Sequence, residues 1–371
     1  MNTLAEVFAP GEFLREELEA RNWTQTELAE IMGRPVRLIN EIIAGKKAIT
    51  PETAIQLGES LGTGPEVWMN LESQYQLSRV RPADDLIARK AALYSRFPVR
   101  EMIKRGWIVA SANIEVLEQQ FRDFFRITSL SEPIAFCHAA KKSAPEEDAS
   151  MLQLAWLCRA RAVAAELLTP RYEEARLRDA LPKLSALRTA PEETRHVARI
   201  LEECGVRFVI VEPIAGSKID GACFWLEHNQ PVVALTLRLD RIDNFWFVLR
   251  HEIEHVLQGH GQDRGFIIDQ EIDGSTGDQI PEEERVANVA GADFSVDQAE
   301  FTGFIARVAP FFKEDRVMLF AQRLNVHPGL VVGQLQRRLQ RFDLFRKHQV
   351  KVRAFVTSSA RTDGWGVVQS N

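Results

Sequence analysis

The sequence predicts a mostly helical chain with one small β-sheet, an α+β architecture. Three observations carry this. Apolar residues recur at helical spacing through most of the 371 residues. Start and stop signals cut the first 80 residues into five short helices. Three β-rich runs, Val206 to Val211, Ala222 to Leu226 and Val232 to Leu237, lie close together between Gly, Pro, Asn and Asp breaks. The length suits two or three domains. The expected division is a five-helix domain over 1–80, a helical linker or scaffold over 81–204, a sheet-containing domain over 205–345 and a tail over 346–371.

Bulk composition narrows the function classes. Forty-six basic and 52 acidic side chains leave a formal charge of -6, which gives no global sign of nucleic-acid binding. Cys137, Cys158, Cys204 and Cys223 are widely spaced with no C-x-x-C pair. That argues against a disulfide framework and fits a reducing cytoplasm. The N-terminus lacks the basic-then-apolar pattern of a signal peptide. No uncharged apolar run nears the ~20 residues of a membrane span. A cytoplasmic protein without membrane contact is expected.

The first helix is expected after Pro10-Gly11, with Phe13, Leu14 and Leu18 buried. Thr24-Gln25-Thr26-Glu27 is a capping box that opens the second. Leu28, Ile31 and Met32 should face inward, and Gly33 stops it. The third runs from Val36 to Ala44 between Pro35 and Gly45. Thr50-Pro51 opens the fourth, with Ala54, Leu57 and Leu61 inside, and a fifth carries Val67, Trp68, Leu71 and Tyr75. In the middle region, Ala155, Trp156, Val163, Leu167 and Leu168 mark one helix, and 143–148 and Thr169-Pro170 read as loops. Beyond the β-runs, Phe245, Leu249, Ile253 and Val256 define a buried stripe that Gly259 and Gly261 end. Further helices are expected from Pro281 to Phe294, Glu314 to Leu324 and Val331 to Phe345. Residues 355–371 read as an extended or poorly ordered tail.

Two short helices joined at Gly33-Arg34-Pro35 fit helix-turn-helix geometry. The helix from Val36 would enter the major groove, anchored by Leu38, Ile39, Ile42 and Ile43. Arg37, Asn40 and Glu41 occupy its other face. Arg can fork onto guanine and Asn can pair with adenine. Gln25, Lys46 and Lys47 suit backbone phosphates. Against this, residues 1–80 hold seven Lys/Arg and twelve Glu, 7 − 12 = −5. Such a domain must gather its cations on one edge, and its affinity should be salt-sensitive and dimer-dependent.

His251-Glu252-Ile253-Glu254-His255 carries the most chemistry in the chain. On a helix, residues i and i+4 share a face, so both imidazoles can reach one Zn2+ ion while Glu252 holds a water. A catalytic zinc takes three protein ligands. Candidates for the third are His260, Asp263, Asp269, Glu271, Asp273 and Glu282, Glu283 or Glu284. His260 reads as an exposed residue past the helix end. Glu284 is the better candidate, because it opens a helix that can pack back on the motif helix. Asn288, one turn on, could orient a ligating histidine. His327 precedes a helix and is a candidate donor to the oxyanion, or a cap. The run Val232 to Leu237 is a candidate edge for substrate backbone.

Two resemblances sharpen these readings. Pro10-Gly11-Glu12, Thr24-Gln25-Thr26-Glu27-Leu28-Ala29, Asn40-Glu41-Ile42-Ile43-Ala44-Gly45-Lys46-Lys47-Ala48-Ile49-Thr50, Trp68-Met69-Asn70-Leu71 and Tyr75 closely resemble antitoxins of the HigA type. This resemblance covers about residues 7–80. It implies a lambda-repressor-like fold, operator binding as a homodimer and autorepression of a toxin–antitoxin operon. Pro35 departs from the family's Ser or Thr cap. Arg241-Ile242-Asp243-Asn244-Phe245-Trp246-Phe247, the His251–His255 motif, Glu284 with Ala287-Asn288, and His327-Pro328-Gly329-Leu330-Val331-Val332-Gly333-Gln334-Leu335-Gln336 resemble the ImmA/IrrE metallopeptidases. That resemblance spans about 205–345. It implies a zincin-like domain with Glu284 as third ligand and Glu252 as general base. Val286 and Ala292-Asp293-Phe294 depart from the family pattern. Together the resemblances imply a regulator with a zinc endopeptidase whose substrate is a repressor or the chain itself, and with a toxin as partner. The alternative is a non-catalytic antitoxin or metal-sensing repressor.

Overall fold

The computed structural model describes residues 8–80, 85–134, 149–227, 229–262, 266–270, 281–364 and 367–368. The chain divides into two compact units, Met1–Arg89 and Lys90–Asn371. The first unit therefore extends past the expected boundary at residue 80.

The first unit contains α1 (Pro10–Arg21), α2 (Gln25–Met32), α3 (Val36–Ile43), α4 (Pro51–Leu61) and α5 (Pro65–Arg79). The capping box is complete: Thr24 Oγ1 accepts from the Glu27 amide at 3.1 Å, and Glu27 accepts from the Thr24 amide at 2.6 Å. Gly33 ends α2 at φ 63°, a left-handed conformation that suits glycine. Leu14, Leu18, Leu28, Ile39, Ile42, Leu57 and Trp68 form the core. Ile31 was expected inside and is 52% exposed. The buried stripe of α2 runs through Leu28, Ala29 and Met32. That arc leaves Ile31 at its rim. Gly11 lets the start of α1 meet the end of α3, since a Cβ there would lie 2.3 Å from the Ile42 carbonyl oxygen.

The second unit is built on a mixed six-stranded sheet. Its strands are β1 (Arg207–Val211), β2 (Ile219–Trp225), β3 (Pro231–Leu235), β4 (Phe266–Gln270), β5 (Arg361–Gly364) and β6 (Val367–Val368), in the order β4-β2-β3-β1-β5-β6. β1 is parallel to β3 and β5, and β2 is antiparallel to β3 and β4. Alternation sorts the side chains onto two faces. Val209, Val211, Ala222, Phe224, Val232 and Ala234 face one helical layer. It comprises the part of α6 (Leu86–Arg96) from Lys90 onward, α7 (Val99–Lys104), α8 (Ile114–Phe125) and α9 (Met151–Ala165). Phe208, Ile210, Cys223, Trp225, Val233 and Leu235 face the other. That layer holds α10 (Glu174–Ala186), α11 (Val197–Glu203), α12 (Ile242–Leu257), α13 (Glu282–Ser295), α14 (Gln298–Val308), α15 (Glu314–Arg323), α16 (Pro328–Leu339) and α17 (Arg353–Val356). β1, β2 and β3 are buried on both sides, which explains their apolar runs.

Several expectations are corrected here. The region read as a linker supplies a core layer of the sheet. The tail over 346–371 supplies β5, paired with β1, and the buried Val352 and Val356. Its strand sequence, Arg-Thr-Asp-Gly, has no apolar alternation, and its pairing is non-local. α16 stops at Leu339 because Gln340 turns left-handed at φ 53°. α9 stops at Ala165, and Leu168 is 99% exposed. α14 was missed, although Phe301, Phe304, Ile305 and Val308 have helical spacing and Asp297 caps it through the Glu300 amide at 2.8 Å. Cys137 and the loop 143–148 lie outside the described residues.

α12 is buried almost all round, not along one stripe. The sheet lies below it, with α13 and α16 beside it. Two glycines permit the close approach. A Cβ at Gly291 would lie 2.9 Å from the Phe247 carbonyl oxygen, and one at Gly333 would lie 2.2 Å from the Asp243 carboxylate. Arg241 forks onto Asp243 at 3.0 and 2.7 Å and also reaches Gln336 at 3.1 Å. This latch holds the start of α12 against α16.

Candidate metal centre and nucleic-acid interface

The helical period places His251 and His255 on one face of α12, both fully buried. Their Nε2 atoms are 3.1 Å apart. Glu284, in the first turn of α13, puts one carboxylate oxygen 3.3 Å from His251 Nε2 and the other 3.6 Å from His255 Nε2. A tetrahedral site with bonds of about 2.0–2.1 Å needs ligand atoms roughly 3.3–3.4 Å apart. The separation of the two ring nitrogens is close to that spacing, each Glu284 oxygen faces one histidine, and one ligand atom from each of the three residues lies within 4.8 Å of the others. Glu284 is the one of the three adjacent glutamates drawn into the cluster. Glu282 instead forks onto Arg285 at 2.8 and 2.6 Å. Asp263, Glu271 and Asp273, and the side chain of Asp269, lie outside the described residues.

His260 is half-buried and stands behind His255, with the two Nδ1 atoms 2.9 Å apart. The expectation of a solvent-facing residue is corrected, and the reason is local. Gly259 is left-handed at φ 69°. The Gly259 amide donates to the Val256 carbonyl at 3.1 Å and the His260 amide to the His255 carbonyl at 2.9 Å. This is a Schellman turn, which folds the second residue past the cap back onto the residue it bonds. The glycine alone carried that signal in the sequence. His260, not Asn288, therefore meets the second ring nitrogen of His255. A partner on that nitrogen fixes the tautomer and the ring plane.

Glu252 is fully buried against β2. A Cβ at Gly221 would lie 2.2 Å from its Oε1, so only glycine leaves room for this carboxylate. Gly221 lies inside β2 at a register shift, one residue before the expected run from Ala222. Glycine inside a strand marks such close approaches.

Two expected roles do not survive. His327 caps α16, its Nδ1 accepting from the Gly329 amide at 3.0 Å. Gly329 packs against Ile242. That residue starts α12 nine positions before His251, about 13 Å along the axis. Burial also lowers the His327 pKa, with His348 adding to it. The residue is a neutral cap at the far end of the helix. β3 has β2 on one side and β1 on the other, so it has no open edge for a peptide. Among the described residues, the outer strand on the Gly221 side is β4.

In the first unit, α2 and α3 meet at the Gly33 turn. Ile39 and Ile42 root α3 in the core, while Leu38 and Ile43 are half-buried. Arg37 and Asn40 are exposed on its outer face, and Lys46 and Lys47 are exposed beyond its C-terminal end. Val36 opens α3 and Gln25 opens α2, both half-buried. Pro35 provides no side-chain cap.

Residues 14–68 match the helix-turn-helix family model. An uncharacterized HTH-type transcriptional regulator of Escherichia coli K12, YddM, is 31% identical over 77 residues, 21% of this chain and 82% of that protein. The chain belongs to the helix-turn-helix family. Virulence-associated proteins I and A of Dichelobacter nodosus are each 35% identical, over 69 and 66 residues. Those stretches are 18% of this chain and 64% and 65% of those proteins. Among solved structures, a HigA-family addiction module antidote protein from Coxiella burnetii is 27% identical, with 29% of this chain and all of that chain covered at a TM-score of 0.19. A Pseudomonas aeruginosa protein solved with its operator DNA is 28% identical, with 20% and 96% covered at 0.19.

The helix-turn-helix domain resolves its charge problem by position. Arg21 pairs with Glu17, Arg34 with Glu52 and Arg37 with Glu41. Lys46 and Lys47 make no ion pair among the described residues. They edge a cleft of about 230 Å³ shared with Gly11, Tyr75 and Arg79. These two lysines thus stand together at the C-terminal end of α3. Arg37 holds the Glu41 carboxyl below its ordinary range through its hydrogen bond, and Lys47 and Lys46 add to it. A base must displace Glu41 to take the Arg37 Nε, which bonds it at 2.7 Å.

Proposed function

We propose that this helix-turn-helix transcription regulator is an antitoxin-type repressor carrying a zinc-dependent endopeptidase centre. Asn40 and Arg37 read operator bases, and Lys46 and Lys47 hold phosphates. Gln25 and Val36, at the two helix starts, complete the footprint. The observation that carries the metal reading is the convergence of His251, His255 and Glu284 at 3.1, 3.3 and 3.6 Å.

His251, His255 and Glu284 would hold the ion, and His260 would fix the His255 ring. When bound, zinc would acidify a water and polarise a peptide carbonyl. Glu252, pressed against Gly221, would accept the water's proton and deliver it to the leaving amine. The peptide would lie along the β4 edge, with a repressor or a second copy of this chain as the substrate class. A toxin is the second protein partner, and a homodimer the operator-binding form.

One observation favours a second reading. Glu252 and both histidines have 0% exposure, and Glu284 is the exposed member of the cluster at 25%. Such burial suits a non-catalytic metal-sensing antitoxin. The test incubates zinc-loaded wild type and Glu252→Gln, with and without promoter DNA, and follows fragments by mass spectrometry. The peptidase reading expects fragments from wild type only, with Glu252→Gln slower by about 10²–10⁴-fold. Intact wild type under every condition, with one zinc bound, selects the sensing reading.

A further inference from the structure

The outer face of α3 carries an ion pair that helix stability does not explain. Arg37 and Glu41 stand one turn apart and share that face. At 3.6 residues per turn, Arg37 lies about 140–160° round the helix from the buried Ile39 and Ile42. Its side chain is 86% exposed, whereas that of Glu41 is 29% exposed. The bond runs from Arg37 Nε to Glu41 Oε1 at 2.7 Å. The Glu41 backbone is fixed as well, because its carbonyl accepts from the Lys46 and Lys47 amides at 2.8 and 3.2 Å.

Two physical rules run against this arrangement. A glutamate stabilises a helix best when it precedes its basic partner by four residues. Glu17 and Arg21 follow that order, and Arg37 and Glu41 reverse it. The macrodipole favours anions in the first turn and cations in the last. In α3 the first turn has no acidic residue and the last no basic one, and the pair puts its cation and its anion there instead. Attraction to phosphates does not explain the pair either. Residues 1–80 already hold twelve Glu against seven Lys/Arg, and a carboxylate beside the recognition arginine adds to the repulsion.

The bond does explain a geometry. Guanine presents O6 and N7 to two parallel N–H groups. With Nε held by Glu41, the edge formed by the two Nη groups of the planar fork is left for the base. An exposed arginine without such a brace swings between phosphates and base edges. The pair is also neutral, so it adds little to the sequence-independent attraction of the DNA backbone.

We propose that Glu41 is a specificity-determining residue that braces Arg37 for guanine. The role rests on the operator reading given above: Arg37 makes the base contact, and Glu41 acts through it as a positioning residue. A glutamate can also accept directly from a cytosine amino group, and the test separates the two roles.

The test uses the full chain. A binding site is selected from a randomised duplex pool. Single base-pair variants of that site are then compared by competition anisotropy, with an unrelated duplex as control. Wild type is expected to favour guanine at one base pair by roughly 5–150-fold. Glu41→Ala should cut that preference at least fivefold, leave the other positions unchanged and bind the unrelated duplex at least as tightly as wild type. Poor folding cannot imitate that combination. In an Arg37→Ala background, Glu41→Ala should change nothing further at this base pair. A guanine preference that survives in Glu41→Ala, equal weakening at every position, or a further loss in the Arg37→Ala background overturns the bracing role, the last by making Glu41 a reader of its own base. A wild type that enriches no site overturns the operator reading and the bracing role with it.

Discussion

The helix-turn-helix domain and the candidate metal centre present their side chains in opposite ways. The Arg37 side chain is 86% exposed, and Asn40, Lys46 and Lys47 stand in solvent. His251, Glu252 and His255 are at 0%. Exposed recognition groups are already solvated, so their loss changes binding and leaves folding alone. Buried ligands depend on each other, because removing one leaves the rest desolvated without compensation. Function and stability are therefore separable in the first region and linked in the second.

The largest effect expected from that contrast is at the ligands. His255→Ala should abolish zinc retention through gel filtration and remove zinc-dependent thermal stabilisation. His260→Ala, which alters only the support of His255, should weaken zinc affinity by about 10–100-fold, read by competition with a chromophoric chelator. Equal affinity in both His260→Ala and wild type would show that the Schellman turn does not orient the ring.

Gly221→Ala tests the wall behind Glu252. The new Cβ collides with Glu252 at 2.2 Å, and overpacking of this kind costs about 1–3 kcal/mol. Denaturant unfolding should report that loss while zinc stoichiometry stays at one. On the exposed side, Asn40→Ala should cost about 1–3 kcal/mol of operator affinity, measured by fluorescence anisotropy. Its unfolding midpoint should not move, since surface changes usually stay within about 0.5 kcal/mol. The smallest effect belongs to the cap: Thr24→Ala should lower stability by about 1 kcal/mol.

The same contrast decides what could be read from the sequence. The first unit is bounded by local signals, such as the Thr24–Glu27 box and Gly33, and its five helices follow from them. The grouping of His251, His255 and Glu284 as a candidate site follows from helical spacing and family resemblance. What escaped depends on pairing between distant segments. The inner position of β3, the joining of β5 to β1 and the place of α6–α9 against the sheet are set by strand order, which no local pattern encodes. Gly221 and His260 fall between these cases. A glycine in a β-run and a glycine after a helix were both visible, but each was read as punctuation. Each positions a side chain of the candidate metal centre: Gly221 leaves room for Glu252, and Gly259 turns His260 back onto His255.

The central claim is that three buried side chains brought together by α12 and α13 form one metal site. Native mass spectrometry of the zinc-loaded full chain tests it most directly. One zinc per chain is predicted in wild type and in Glu252→Gln, and none in His251→Ala or Glu284→Ala. A zinc-free wild type, or a Glu284→Ala protein that keeps its zinc, would contradict it.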